Sequence, residues 1–300
     1  MQVAMPVPRF GGVYAATTTP LRADGSVDFD WYREHCTWLV DEGVAGIIPN
    51  GSLGEYETFT DDERSGLVAA AVEAVGDRVD VVPGVSGKSA AEASRWAEQA
   101  RAAGAPAVMA LPPTSHKPTD DEVVAHFTEI GKIGLPIIAY NNPFSTRVDL
   151  TPALLARLAD EVEMVAAVKE FSQDARRVWQ IRESAPRLEV LCGCDDTFVE
   201  SMLAGAVGWI AGFVNAFPAQ SVRLYRLCQA GDYAAAADLY RKMLPILRWD
   251  ADPLFVQAIK LGQEEAGRYG GPVRLPRLPL SEDVAAVVRA AARDALDAGY

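Results

Sequence analysis

Histidine and cysteine are the scarcest chemistry-bearing residues in this 300-residue chain, with three of the first and four of the second. Cys36, Cys192, Cys194 and Cys228 are too few to staple a chain of this size. Cys192-Gly-Cys194 is neither a C-x-x-C redox pair nor half of a zinc spacing. The four read as small core residues of a protein kept in a reducing compartment. His35, His116 and His126 fall in a helix pattern, a loop and a second helix pattern. That spacing suggests no ligand triad, so no metal and no cofactor is expected, and a metal-dependent barrel lyase is discounted. Asp195-Asp196 could ligate magnesium, but capping a helix N-terminus is the commoner use of such a pair. Positive charge is also short: 28 Lys and Arg against 41 Asp and Glu leave a net charge of −13. Nucleic acid and anionic membrane are therefore poor partners. No apolar run reaches eighteen residues, and the opening MQVAMPVPRF has no apolar signal core. The expectation is a cytoplasmic protein whose partner is a small molecule.

What is present is regular. Eight short β-rich runs, at 12–17, 46–49, 79–85, 107–111, 136–140, 164–169, 188–192 and 209–213, alternate with helical patterns. Several are continuously apolar, as parallel strands covered on both faces must be. Thr60-Asp-Asp-Glu63, Ser89-Ala-Ala-Glu92 and Thr119-Asp-Asp-Glu122 have the form of capping boxes. Gly43, Gly76 and Gly104 stand where the intervening helices should stop, and Thr151-Pro152 puts proline at a first helical position. Eight strands each followed by a helix close naturally as an α/β (β/α)₈ TIM barrel, with an open doubly wound sheet as runner-up. After the eighth strand the pattern turns helical, over 219–230, 233–247, 253–267 and 281–298, with LPRLPL at 275–280 as a connector. The expected organisation is a barrel over 1–225 and a helical extension over 226–300, packed on it without a flexible linker.

In such a barrel the chemistry belongs at the C-terminal ends of the strands. Of six lysines, five fall in loop or helix patterns, where a solvated charge is expected. Lys169 alone ends an apolar strand. Partial desolvation there would lower its pKa and free the amine as a nucleophile toward a carbonyl. An ion pair with Glu170 or another carboxylate is the competing reading. Tyr140 ends the preceding strand, and its phenol can both give and take a proton near the amine. The turn Gly51-Ser52-Leu53-Gly54-Glu55 follows the second strand, where converging backbone N–H groups suit a carboxylate and Ser52 offers a relay hydroxyl to Tyr140.

These segments, GSLGE (51–55), YNNP (140–143) and VKEFS (168–172), resemble the signatures of the dihydrodipicolinate synthase / N-acetylneuraminate lyase family. GGVYAATTTPL (11–21), GCDD (193–196) and RLPRLPL (274–280) extend the resemblance along the chain. It implies a Schiff-base lysine at Lys169, a proton-shuttling tyrosine at Tyr140 and a relay hydroxyl at Ser52. Gly51 with the N–H groups of Ser52 and Leu53 would hold the substrate carboxylate, and the carbonyl of Ile210 would border the site. Glu55 would hold the turn's backbone amides. A homotetramer is also implied.

The sequence departs from the synthase pattern at three positions. Leu53 replaces a second hydroxyl, Ser115 replaces a tyrosine, and Ser145 replaces the arginine that binds the second substrate's carboxylate. Arg147 lies two residues beyond. The expected function is thus a Schiff-base-forming lyase acting on a small 2-oxo acid, with aldolase, hydratase or dehydratase chemistry. Specific alternatives are a hydroxypyrroline-2-carboxylate deaminase, then a true synthase, then a sugar-acid or sialic acid aldolase. A binding paralogue without chemistry is a different class, and the intact Lys169, Tyr140 and Ser52 argue against it.

Overall fold

The computed structural model describes residues 9–298. Its strands are β1 (Gly12–Ala16), β2 (Gly46–Ile48), β3 (Asp80–Val81), β4 (Val108–Ala110), β5 (Ile137–Asn141), β6 (Val165–Glu170), β7 (Glu189–Cys192) and β8 (Gly208–Ala211). They lie parallel in the order 3-2-1-8-7-6-5-4. Closure comes between the two ends of that series. Val85 donates to the Met109 carbonyl at 2.9 Å and Met109 to the Pro83 carbonyl at 2.9 Å, around a parallel bridge between Gly84 and Met109. The sheet is therefore a TIM barrel and not the open alternative.

β3 is shorter than the expected 79–85 because Pro83 cannot donate to a ladder. The next residue, Gly84, lies so close to β2 that an added Cβ would stand 2.3 Å from the Asn50 carbonyl oxygen. Only glycine permits that approach.

Among the described residues, twelve helices surround the barrel and extend beyond it. In the first half these are α1 (Phe29–Asp41), α2 (Asp61–Val75), α3 (Ala90–Ala102), α4 (Asp120–Gly131), the single turn α5 (Pro143–Thr146) and α6 (Pro152–Glu161). Then come α7 (Arg176–Ser184), α8 (Phe198–Leu203), α9 (Pro218–Gln229), α10 (Tyr233–Leu247), α11 (Phe255–Glu265) and α12 (Glu282–Asp297). Thr60 and Thr119 form reciprocal capping boxes with Glu63 and Glu122. Ser89 makes only half of one: it accepts from the Glu92 N–H, while the Glu92 carboxylate reaches past it to the N–H of Lys88 at 2.8 Å. Gly43 and Gly104 adopt the left-handed conformation after their helices, whereas Gly76 ends α2 right-handed at φ −66°.

The core is the strand layer against its helices, with Ile47, Ile138, Val168, Val190 and Ile210 buried. The four cysteines are buried free thiols within it. α9 to α12 pack on one another and against the turns that follow β7 and β8. No described helix is long and apolar enough to cross a membrane.

Candidate active site

Parallel pairing places Tyr140 of β5 directly beside Lys169 of β6. Both side chains are buried, and the Lys169 amine lies 4.4 Å from the centre of the Tyr140 ring and 6.0 Å from that of Phe171. The lysine stem runs over Gly193 at the end of β7. A Cβ at that position would stand 2.9 Å from its Cγ and 3.0 Å from its Cε. Among the described residues Lys169 forms no salt bridge. Alternation along β6 turns Glu170 away from it. The Glu170 carboxylate instead accepts from Asn141 Nδ2 at 3.0 Å and from the Ser172 N–H at 2.6 Å, and burial holds it above the usual carboxylate range.

The Tyr140 hydroxyl accepts a hydrogen bond from Asn142 Nδ2 at 3.0 Å. Asn142 also caps α5, its Oδ1 accepting from the Ser145 N–H at 3.1 Å. Ser52 makes no hydrogen bond to Tyr140, so the expected relay is not a direct contact here; both groups open onto the same cavity.

In the turn after β2, Gly54 donates to the Gly51 carbonyl at 3.0 Å and Glu55 to the Ser52 carbonyl at 3.1 Å. Those bonds leave the N–H groups of Ser52 and Leu53 without an acceptor among the described residues, free for an anion. Asn50 and Glu55 flank the turn at φ 59°, a left-handed conformation that brings the chain round sharply.

These groups line one cavity of about 770 Å³ at the C-terminal mouth of the barrel. Gly51, Ser52, Leu53, Tyr140 and Lys169 form one wall. A second wall is supplied late in the chain, by Asp250, Asp252, Phe255, Pro276 and Arg277.

Ile210 is fully buried in β8, and Gly212, two residues on, lines the cavity. Other expected roles need correction. Glu55 does not hold the turn's amides. Its carboxylate lies 3.2 Å from the Lys260 amine and accepts from the Arg274 N–H at 3.0 Å, which ties the turn to the C-terminal segments. Lys260 is accordingly no solvated lysine: it is buried in α11. Asp195 caps no helix. It is fully buried, accepting from Trp209 Nε1 at 2.9 Å and from the N–H groups of Gly212 and Phe213 at 3.2 and 2.8 Å. Burial pushes its carboxyl up to about 6 against the pull of those donors.

Ser145 lines the cavity, whereas Ser115 and Arg147 are exposed and do not. Arg277 does reach it, stacked 5.2 Å over Phe255 and 4.0 Å from Glu55. Nothing local in the sequence marked Arg277 or Asp250 as site residues. Asn142 lay inside the YNNP motif, and its position two residues from Tyr140 was the available signal. His35, His116 and His126 do not converge, and no described group of three His, Cys, Asp or Glu side chains is placed to hold a metal ion.

The profile of the dihydrodipicolinate synthetase family matches residues 9–295. The chain belongs to that family. Its members are lyases that work through a lysine Schiff base, and this chain is an enzyme of that kind. Among its relatives is the 4-hydroxy-tetrahydrodipicolinate synthase of Bartonella bacilliformis, 31% identical over 290 residues, covering 95% of this chain and 97% of the relative. In structure it is similar to a putative dihydrodipicolinate synthetase from Pseudomonas aeruginosa, with TM-score 0.91 and 31% identity over 95% of this chain and 99% of that one. It is also similar to YagE, a prophage protein of E. coli K12 solved with pyruvate, with TM-score 0.90 and 28% identity over 96% and 99% of the two chains.

Proposed function

We propose that Lys169 is the Schiff-base lysine and that the substrate is a small 2-oxo acid, or its cyclic imine, with one carboxylate beside the reacting carbon. The observation that carries this is the pairing of Tyr140 with Lys169 inside a cavity whose facing turn offers two unpaired N–H groups. The substrate carboxylate takes the N–H groups of Ser52 and Leu53, with Gly51 leaving room above the turn. The carbonyl carbon then faces the Lys169 amine, whose lone pair adds to it. Tyr140, with its hydroxyl oriented by Asn142, moves the protons that turn the carbinolamine into an imine and water. The imine's cationic nitrogen draws electrons from the neighbouring carbon, which permits aldol cleavage, dehydration or elimination of nitrogen. Ser52 serves as the relay hydroxyl once substrate bridges it to Tyr140.

The rest of the cavity favours a single-carboxylate substrate. Its described cations are Lys169 and Arg277, and the latter is shared with Glu55, while Glu57 and Asp252 add negative charge. A second carboxylate would meet Ser145 where an arginine anchor is needed. That acidic mouth suits a leaving amine better, and it favours the hydroxypyrroline-2-carboxylate deaminase reading over the synthase. We read 1–225 as the catalytic barrel, 226–300 as the extension that completes its mouth, and the working unit as a cytoplasmic homotetramer.

Incubation with pyruvate and borohydride tests the core of this reading. The intact mass should rise by one reduced pyruvate, and peptide mapping should place it on Lys169. A protein that gains no mass, or gains it at another lysine, rules the mechanism out.

A further inference from the structure

Asp250 has no part in imine formation by Lys169 and Tyr140, yet it lies on the cavity. It sits in the short turn Arg248–Ala251 between α10 and α11, buried to 8% exposure. Its Oδ2 accepts from the Asp195 N–H at 3.2 Å. Its Oδ1 has no hydrogen-bond partner among the described residues and rests against Gly212, where an added Cβ would stand 2.5 Å away. Glycine at 212 is what lets a carboxylate come this far in. Neither Asp250 nor Lys169 has a salt-bridge partner among the described residues, so the two stand apart across the space they both line. A substrate carbon attached to the lysine nitrogen would lie in the cavity that Asp250 also lines.

Asp195 adjoins Asp250 and takes three N–H donors, so the local negative charge resides on Asp195 and the proton on Asp250. Burial and the charge of Asp195 push the Asp250 carboxyl well up, while Lys169 pulls it down; Asp196 adds to the rise. An acid in this state releases its proton to water in the open cavity when a fixed cation forms beside it, which leaves the carboxylate that the next step needs.

We propose that Asp250 is a catalytic acid–base that carries the proton at the carbon next to the imine. In one direction its carboxylate takes a C3 proton from the Lys169 iminium. The C–H pair becomes the C2=C3 bond, and the C=N pair moves onto nitrogen to leave a neutral enamine. In the other direction the Asp250 acid returns the proton to C3 of the enamine, and the iminium is restored. Tyr140, on the far side of the lysine, serves the oxygen at C2. The proposal rests on Lys169 as the Schiff-base residue and divides the proton work between two groups.

Pyruvate in D₂O separates the steps, because exchange of its methyl protons, followed by NMR, needs the enamine, whereas borohydride trapping needs only the imine. Asp250→Asn keeps the shape and an acceptor for the Asp195 N–H. It should form the trapped adduct as the wild type does, while methyl exchange falls by roughly 10²–10⁴-fold, the range for a lost acid–base group. Gly212→Ala, which pushes Asp250 aside without removing it, should slow exchange in the same selective way and carries the test if the asparagine variant does not fold. Exchange near the wild-type rate in folded variants would overturn the proposal. So would loss of trapping in step with exchange, because Asp250 would then act before the imine. A wild-type protein that traps no pyruvate would instead strike at Lys169, and the role of Asp250 would fall with it.

Discussion

The two walls of the cavity differ in how they are made. On one, Tyr140 and Lys169 are neighbours because β5 and β6 are, and hydrogen bonds between strands hold their spacing. On the other, Asp250 and Arg277 come from segments beyond the eighth strand, held by the Asp195 N–H and by Glu55 through Lys260 and the Arg274 N–H. The first wall depends on a repeating pattern, so it survives variation elsewhere. The second depends on a few long-range contacts and is free to change with the substrate. Imine formation is thereby assigned to one part of the chain, and substrate choice with the proposed proton transfer by Asp250 to another, under different constraints.

The sharpest way to break this division is to remove the proposed nucleophile. Lys169→Arg and Lys169→Ala should both abolish turnover with the thermal unfolding midpoint preserved, since arginine keeps the charge but offers no neutral amine. A Lys169→Arg enzyme with near wild-type rate would show that the strand wall does no covalent chemistry. Tyr140→Phe should slow turnover by roughly 10²–10⁴-fold. An unchanged rate would reduce this tyrosine to packing.

On the late wall, the first effect is on stability. Lys260→Met leaves Glu55 buried without its partner and should lower urea-derived stability by about 3–5 kcal/mol. Lys260→Met combined with Glu55→Gln should recover part of that loss, and no recovery would mean that the pair is not coupled. His35 lies at the same seam, its Nε2 3.0 Å from Asn215 Oδ1 and 3.5 Å from Gln263 of α11. Burial lowers its pKa from 6.5 to about 4, so the folded state favours the neutral ring. The unfolded chain then binds the extra proton between those values, and stability present above pH 6.5 is lost as pH falls toward 4. The loss amounts to about 3 kcal/mol at most. His35→Gln should flatten that part of the pH–stability curve; an identical slope would remove His35 as its source.

The smallest effect concerns substrate choice. Condensation of pyruvate with aspartate semialdehyde should be slow or absent, while single-carboxylate 2-oxo acids or pyrroline-2-carboxylates turn over. Ser145→Arg should raise kcat/KM for the condensation by roughly 10–100-fold, the equivalent of one hydrogen bond to a charged group at 1.5–3 kcal/mol. Robust condensation by the unaltered protein would show that its mouth already holds a carboxylate anchor.

The eight strands were legible because apolar runs and caps are local signals, and the pairing of Lys169 with Tyr140 followed from strand order alone. Glu55 was misjudged for the opposite reason. Its partners Lys260 and Arg274 lie some two hundred residues away, and no periodicity links them. Lys260 likewise sits in a helix pattern that does not reveal which face is buried. Asp195 was read as a cap because its own neighbourhood looks like one, whereas its donors come from β8 and the turn beyond. Asp250 and Arg277 became visible as site residues only when the chain was folded.

The bond between Glu55 and the Arg274 N–H also sets a timetable. During synthesis the turn after β2 and the lysine of β6 emerge well before the segment that closes the cavity around them. At ~5–20 residues per second, the roughly one hundred residues between Lys169 and Arg274 represent about 5–20 s. For that interval a nascent chain carries Lys169 with the cavity open on one side and Glu55 without Lys260 and Arg274. The pocket is finished only when the segment around Arg274 docks, and a ribosome stalled short of that segment holds a barrel that has every strand and no finished pocket.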